Sequence, residues 1–212
     1  MSLIKKWHLF IVVLFLSLSS CQKIDDVQSF NEWLNAPENG CVVNKKIGGV
    51  KLTVKFQPSG YIILKDFGKE SLNNARYRDS VKRKQRLATT FLLEIEPDNN
   101  VEKAGQKSSV MYEGVEDYRD YTERTITTNF FMDSHIRMFF EEQEYQPLIA
   151  VTENMYELSD TKRFLIAFDV GTLKKGVDYD FVYDDPFFGI GKVQFSFSGT
   201  DLVEAENVDV TW

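Results

Sequence analysis

Four aspartates near the carboxyl terminus are candidate metal ligands. They are Asp178, Asp180, Asp184 and Asp185. Carboxylate oxygens are hard ligands, and calcium takes about 6–8 oxygens, but the spacing differs from that of an EF-hand loop. Asp178 and Asp180 also alternate with Tyr179 and Phe181, as on a strand with one wet face. The sequence therefore leaves a calcium or ligand site and an ordinary solvent face as alternatives, with no metal site assigned.

A second acidic group, Glu141-Glu142-Gln143-Glu144, lies between two predicted strands. Glycosidases use two carboxyl groups that face each other across a sugar ring. Neighbouring acids on a polar segment are also typical of a solvated turn. The sequence contains no Gly-x-Ser-x-Gly nucleophile motif and no glycine-rich phosphate loop. A carboxylate-dependent glycan hydrolase is thus an alternative, and a protein that is not an enzyme is favoured.

Cysteine and histidine are scarce, with two of each in the whole chain. Cys41 and His135 are the pair that a cysteine nucleophile would need, since the thiolate requires a nearby imidazole. Cys41 lies between Gly40 and Val42, which favours a packed thiol, and His135 follows a polar Asp133-Ser134 turn. A catalytic dyad is not expected, and no cofactor is predicted.

One basic segment stands out in an acidic protein. Residues 69–87 lack proline and glycine and contain many helix-forming residues, which predicts a polar helix. Its cations are Arg76, Arg78, Lys82, Arg83, Lys84 and Arg86. They are either a docking surface for lipid head groups, an acidic glycan or an acidic protein, or a solvated helix face. The formal charge of −7 makes nucleic acid an unexpected partner.

Aromatic side chains make up 14% of the chain and include tryptophans near both ends of the predicted domain. Trp33 and Trp212 are suited to stacking on sugar rings, and also to sealing the ends of a packed core. A glycan-binding accessory protein is therefore a further alternative to an enzyme.

Short segments of alternating or β-branched apolar residues recur along the chain and predict strands. They are Val50–Phe56, Tyr61–Leu64, Thr89–Glu96, Ile126–Met132, Ile136–Glu141, Leu148–Thr152, Arg163–Asp169, Tyr179–Tyr183 and Val193–Phe197. The last two flank a glycine turn and predict a hairpin. The fold class is mainly β, an antiparallel β-sandwich or a large antiparallel sheet, with one polar helix near 69–87. Phe30–Leu34 is either a short helix or a strip that docks its apolar side chains onto the domain.

The amino-terminal segment has the pattern of a secretory signal. Lys5 and Lys6 precede the apolar run Leu9–Leu18, which is too short to span a bilayer. Leu18-Ser19-Ser20-Cys21 resembles the lipobox of bacterial lipoproteins, which implies that Cys21 is the lipidated first residue of the mature chain. This resemblance predicts a signal peptide over 1–20, a lipidated tether over 21–31 and one β-rich domain over 32–212.

The residues after Cys21 carry a further resemblance. Gln22-Lys23-Ile24-Asp25-Asp26 is similar to the export tags of surface lipoproteins in Bacteroidota. The Asn39-Gly40 turn, the Val50–Phe56 strand and the Asp184–Gly189 turn resemble small β-rich lipoproteins of unknown function in that group. The resemblance implies an outer-membrane location, surface-exposed rather than periplasm-facing, and no catalytic residues.

Together these features predict a lipid-anchored protein of the cell envelope that binds or scaffolds within an outer-membrane assembly. Its expected partners are the membrane, through the anchor, an envelope protein, and, in the alternative function, a glycan.

Overall fold

The structure of the chain is a computed structural model that describes residues 24, 26–71, 76, 79–81, 83, 87–98, 109–153 and 160–208. It is mainly β and contains two antiparallel sheets, of five and four strands, that pack as a sandwich. The predicted fold class is therefore confirmed.

The five-stranded sheet has the order β1-β2-β3-β7-β6. Its strands are β1 (Val42–Ile47), β2 (Val50–Gln57), β3 (Thr89–Pro97), β6 (Ile149–Thr152) and β7 (Lys162–Phe168). All neighbours are antiparallel. The alternation predicted in β2 places Val50, Leu52, Val54 and Phe56 in the core.

The four-stranded sheet has the order β5-β4-β8-β9. Its strands are β4 (Ile136–Phe140), β5 (Gln143–Tyr145), β8 (Asp178–Asp184) and β9 (Lys192–Ser198). The predicted hairpin is confirmed, because β8 and β9 pair directly, with Phe181 opposite Phe195. On both strands the aromatic residues are buried while the alternate polar residues are half-buried or exposed.

Aromatic rings join the two sheets. Phe91 of β3 lies with its ring centroid 5.7 Å from that of Phe181 and 5.2 Å from that of Phe197. Phe168 of β7 meets Phe181 edge-on at 6.1 Å. Such tilted and edge-on pairs add about 0.5–1.5 kcal/mol each to the burial of their area. The core thus sits between the inner faces of the two sheets.

Four helices whose bounds lie in the described part of the chain flank the sandwich. They are α1 (Val27–Asn35), α2 (Ser59–Ser71), α3 (Tyr118–Phe130) and α4 (Gly199–Glu206). Two short 3₁₀ turns, Pro37–Asn39 and Met132–His135, accompany them. None of the described helices combines the length and the apolarity that crossing a bilayer requires.

The strand predicted at Tyr61–Leu64 is wrong, because these residues belong to α2. A short apolar run of this kind fits a buried strand and a buried helix equally well. Tyr61 and Leu64 are three residues apart and both join the main core, whereas Ile63 packs in a separate cluster with Val81. Four residues are too few to show the helical spacing of the buried side chains, so the helix could not be predicted from this segment.

The strand predicted at Ile126–Met132 is also wrong, because α3 extends to Phe130. Its threonines have high β propensity but form local bonds in the helix. Thr122 Oγ1 donates to the Tyr118 carbonyl and Thr125 Oγ1 to the Tyr121 carbonyl, each over 2.8 Å. Arg124 and Thr128 lie four residues apart on the buried face. Tertiary contacts on that face therefore outweigh the local propensity.

The predicted polar helix at 69–87 lies partly in the described residues. Helix α2 ends at Ser71 after a kink at Gly68, whose φ is 66°. Residues 76, 79–81 and 83 are also helical. At the amino-terminal end, α1 begins at Val27 and fully buries Phe30, so residues 27–31 of the predicted tether are helical. At Phe30–Leu34 the helical alternative is confirmed within α1.

Candidate binding site

A cavity of about 260 Å³ opens at one end of the five-stranded sheet. It lies where β2 ends, where β3 begins, beside the loop that follows β7, and against α4. Its lining residues are Phe56, Gln57, Ala88, Thr89, Gly171, Thr172, Leu173, Val203, Glu206 and Asn207. Segments far apart in sequence therefore build one concave surface.

One face of α4 forms a wall of the cavity. Val203, Glu206 and Asn207 follow the i, i+3, i+4 spacing that places side chains on one side of a helix. Leu202 and Ala205 lie on the other side and are buried in the core. One face of α4 therefore packs in the core, and the adjacent face lines the cavity.

Gly199 fixes the start of α4 against the loop between β7 and β8. Its N–H donates to the Val177 carbonyl over 2.7 Å. A Cβ at this position would lie 2.2 Å from the Lys174 carbonyl oxygen and 2.5 Å from that of Val177. Only glycine allows the two backbones to come this close. The Ser198 side chain caps the helix by accepting from the Thr200 N–H over 3.2 Å.

Thr89 supplies a hydroxyl to the cavity. It has the same alternation as Phe91 and Leu93, which face the core, and its residue surface is only 6% exposed. Its side chain makes no hydrogen bond to any residue that the structure describes. This group is therefore available to a bound molecule.

Glu206 contributes a carboxylate to the cavity, and Ser59 holds this carboxylate in place. Its Oε2 accepts from the Ser59 N–H over 2.9 Å, and its Oε1 accepts from the Ser59 hydroxyl. Ser59 is the first residue of α2, where unpaired N–H groups and the helix dipole give a partial positive charge. The carboxylate is thus partly compensated within the protein.

The lining groups that the structure describes are suited to binding. They include no cysteine, histidine, lysine or arginine, and Glu206 is the one carboxylate among these described residues. General acid–base catalysis on a glycan needs a second carboxyl group across the substrate. The arrangement therefore supports recognition of a small molecule by apolar contacts and hydrogen bonds.

The structure does not bring the four predicted aspartates together. Asp178, Asp180 and Asp184 alternate along the outer face of β8. Asp180 Oδ1 accepts from the Ser196 hydroxyl over 2.6 Å, and Asp184 lies 3.8 Å from Lys192 Nζ. No group of three potential metal ligands occurs among the described residues.

Asp185 instead organises the loop that follows β8. Its Oδ1 accepts from the Tyr183 hydroxyl over 3.1 Å and from the Phe187 N–H over 3.0 Å. Its Oδ2 accepts from the N–H groups of Phe188, over 2.7 Å, and Ile190, over 3.1 Å. Burial, and next the charge of Asp185, raise the pKa of Tyr183. With both oxygens engaged, this carboxylate has a structural role.

The acidic group at 141–144 forms the tip of the β4–β5 hairpin. Glu141 and Glu142 adopt positive φ values of 49° and 63°, the left-handed region that usually favours Asn or Gly. Glu141 pairs with Lys174 over 2.6 Å, and Glu144 pairs with Arg137 over 3.0 Å. These acids are exposed and oriented toward cations rather than toward a shared cleft.

Cys41 is a packed thiol, as its flanking residues predict. It is fully buried, and its Sγ lies 3.1 Å from the Asn39 carbonyl oxygen. Burial, with a further contribution from the charge of Asp201, raises the pKa of Cys41 to about 12. The thiol is therefore neutral at physiological pH and lacks the thiolate character of a nucleophile. His135 lies in the 3₁₀ turn before β4.

The remaining predicted residues are described in part. Arg76 and Arg83 are helical and exposed. Trp33 is half-buried and meets Phe30 edge-on at 6.2 Å, which fits core sealing better than an open sugar platform. The residues that lie outside the described part are Cys21, Arg78, Lys82, Lys84, Arg86 and Trp212.

Arg124 of α3 forms a second buried polar cluster. One guanidinium nitrogen, Nη1, donates to the carbonyls of Val110 and Glu113, each over 2.7 Å. The guanidinium carbon lies 5.2 Å from the Phe187 ring centre and 5.1 Å from that of Phe188. Burial lowers the pKa of Arg124, although arginine remains charged. This cluster ties α3 to the Asp185 loop.

Comparison of the chain with protein-family models, with curated proteins and with solved structures finds no match. The assignment of the cavity as a candidate binding site therefore depends on its geometry alone. Sequence reasoning missed Thr89, Val203, Glu206 and Asn207. The one signal for them was the 203, 206, 207 spacing, which indicates a helix face without showing what that face meets.

Proposed function

We propose that this chain is a lipid-anchored protein of the cell envelope that acts as a binding component of an outer-membrane assembly. The cavity beside α4 is its binding site. The observation that carries the proposal is the Thr89 hydroxyl, which opens to this cavity and makes no hydrogen bond to the described residues. A hydroxyl in that position can exchange water for a hydrogen bond to a ligand.

Anchoring is supported by the lipobox-like Leu18-Ser19-Ser20-Cys21 and by the charged residues that follow it. An acylated cysteine contributes about 0.8 kcal/mol per buried CH₂, which suffices for stable attachment when several chains are added. We expect Cys21→Ala to move the protein from the membrane fraction to the soluble fraction. Wild-type protein that fractionates as soluble would refute the anchor.

The binding role is tested by filling the cavity. Val203→Phe places a ring on the face of α4 that lines it, and Val151→Phe makes the same change on exposed β6, outside the lining. Full-length protein, in a detergent without a sugar head group, is screened against small envelope metabolites and glycan fragments by ligand-observed NMR. We expect compounds that lose binding with Val203→Phe and keep it with Val151→Phe. A screen with no such compound contradicts the proposed binding site.

A scaffolding role through protein contacts is the second candidate, and a specific observation favours it. Large apolar side chains are exposed near α3 and β6, with Phe130 74% and Leu148 64% exposed. Thr152 Oγ1 donates to the Thr128 carbonyl over 2.6 Å, so α3 and β6 lie side by side. Crosslinking of intact cells that traps an envelope protein through this region, and loses it with Phe130→Ser, supports scaffolding.

Surface exposure is proposed in preference to a periplasm-facing position, on the basis of the Gln22–Asp26 segment. We expect externally added protease to digest the protein on intact cells. Complete protection, with digestion after the outer membrane is opened, would place the domain on the periplasmic side.

A further inference from the structure

The cavity beside α4 has the size and lining of a site for one neutral sugar ring, and we infer that this is the class of ligand it takes. The inference rests on the proposed binding function. The cavity has a volume of about 260 Å³, which is below the roughly 300–1,000 Å³ of pockets for drug-sized ligands. A cavity of this size can hold a single sugar ring or the terminal ring of a glycan.

Charge disfavours anionic ligands in the described part of this cavity. Glu206 contributes a carboxylate, and none of the described lining residues carries a positive charge. An acid entering the cavity would therefore meet a like charge in surroundings less polar than water, where repulsion is stronger than in solvent.

Cationic ligands are also disfavoured. The carboxylate of Glu206 already accepts from the N–H and the hydroxyl of Ser59 at the amino-terminal end of α2. A cation would lose its hydration to enter a cavity with Phe56, Leu173 and Val203 in its walls. It would gain only a carboxylate whose charge is partly compensated, so a neutral ligand suits the site better.

The lining alternates apolar carbon with hydrogen-bonding groups. Phe56, Ala88, Leu173 and Val203 provide apolar contact surface. Thr89, Thr172, Glu206 and Asn207 provide hydroxyl, carboxylate and amide groups. A pyranose ring has apolar C–H faces and hydroxyls that both donate and accept, so it can satisfy both parts. A purely apolar ligand would leave the Thr89 hydroxyl without a partner.

Three sugars that share one ring test the inference: glucose, glucosamine and glucuronate. Their affinities for full-length protein are measured by ligand-observed NMR at slightly acidic pH, where glucosamine is cationic. We expect glucose to bind at least about tenfold more tightly than either charged analogue, a difference of 1.4 kcal/mol. Val203→Phe should abolish its binding, and Val151→Phe should leave it unchanged.

Thr89→Val separates ligand contact from folding. It removes the hydroxyl and keeps the shape of the side chain, so we expect the melting temperature to be unchanged or raised while glucose affinity falls several-fold. Unchanged glucose affinity in this variant overturns the role of Thr89 in sugar binding.

The outcomes distinguish the class of ligand from the existence of the site. If glucuronate, glucosamine or a compound without a sugar ring binds best and depends on Val203, the sugar inference fails and the binding site stands. If no compound depends on Val203, the proposed function fails as well.

Discussion

Replacing Asp185 with alanine should unfold the loop after β8 and lower the stability of the whole domain. Four donors lose their acceptor: the Tyr183 hydroxyl and the N–H groups of Phe187, Phe188 and Ile190. The three N–H groups are partly buried and regain some hydration, so we assign each about 1 kcal/mol. Tyr183 is fully buried and its hydroxyl adds about 1 kcal/mol. The expected loss is about 4 kcal/mol of the free energy of unfolding.

Asp185→Asn provides a graded version of the same change. Its amide oxygen still accepts from one pair of donors, whereas its NH₂ group cannot accept from the other pair. We expect a loss of about 2 kcal/mol. Asp184→Ala is the matched control, because Asp184 is half-exposed and lies 3.8 Å from the exposed Lys192. Exposed pairs of this kind contribute about 0–1 kcal/mol.

Urea unfolding of full-length protein in detergent, followed by tryptophan fluorescence, measures these differences. A change of midpoint at constant slope gives the change in free energy. The same series with and without millimolar calcium separates the structural role from a metal site. If Asp185→Ala costs less than about 1 kcal/mol, or if calcium stabilises the wild type and not this variant, the reasoning is refuted.

Three further changes test other parts of the structure by the same unfolding assay. Arg124→Met leaves three carbonyls without their donor and should cost about 3–5 kcal/mol, against less than about 0.5 for the exposed Arg119→Met; equal losses would contradict the buried cluster. Gly199→Ala should cost about 3 kcal/mol from backbone overlap, whereas Gly49→Ala, with φ of 81° and open space, should cost about 1; the reverse order would refute the close approach. Cys41 has a folded pKa of about 12 against 9.0 when unperturbed, so its contribution is intact below pH 9 and declines as pH rises toward 12. The stability advantage of wild type over Cys41→Ala should therefore fall by about 1.4 kcal/mol per pH unit above 9, and a constant difference would contradict it.

The sequence predicted the strands of the sandwich where apolar and polar residues alternate. In β2, β8 and β9 the apolar residues alternate with polar ones, and the structure buries them as that period requires. The alternation depends only on neighbouring residues, so a short stretch of the sequence is enough to predict it. The lipobox-like segment is local in the same sense, and it remains a prediction.

The helices were harder to predict because packing decided them. Tyr61–Leu64 and Ile126–Met132 have the composition of strands, yet both lie wholly or mainly in helices. In α3 the threonine hydroxyls bond back to carbonyls one turn earlier, and Arg124 anchors the buried face. The threonine bonds are local, but the partners of Arg124 lie outside any short window of sequence.

The candidate site was decided by tertiary structure alone. Glu206 reaches Ser59 across 147 residues, and Thr89 lines the same cavity from β3, near the middle of the chain. Neither residue lies in a motif, because a hydroxyl and a carboxylate become a site only when folding places them around one cavity. The sequence by itself determined the alternation of the strands and the predicted anchor, since both depend on adjacent residues. The cavity depends on where strand ends and a helix face meet, and only the packed structure fixes that.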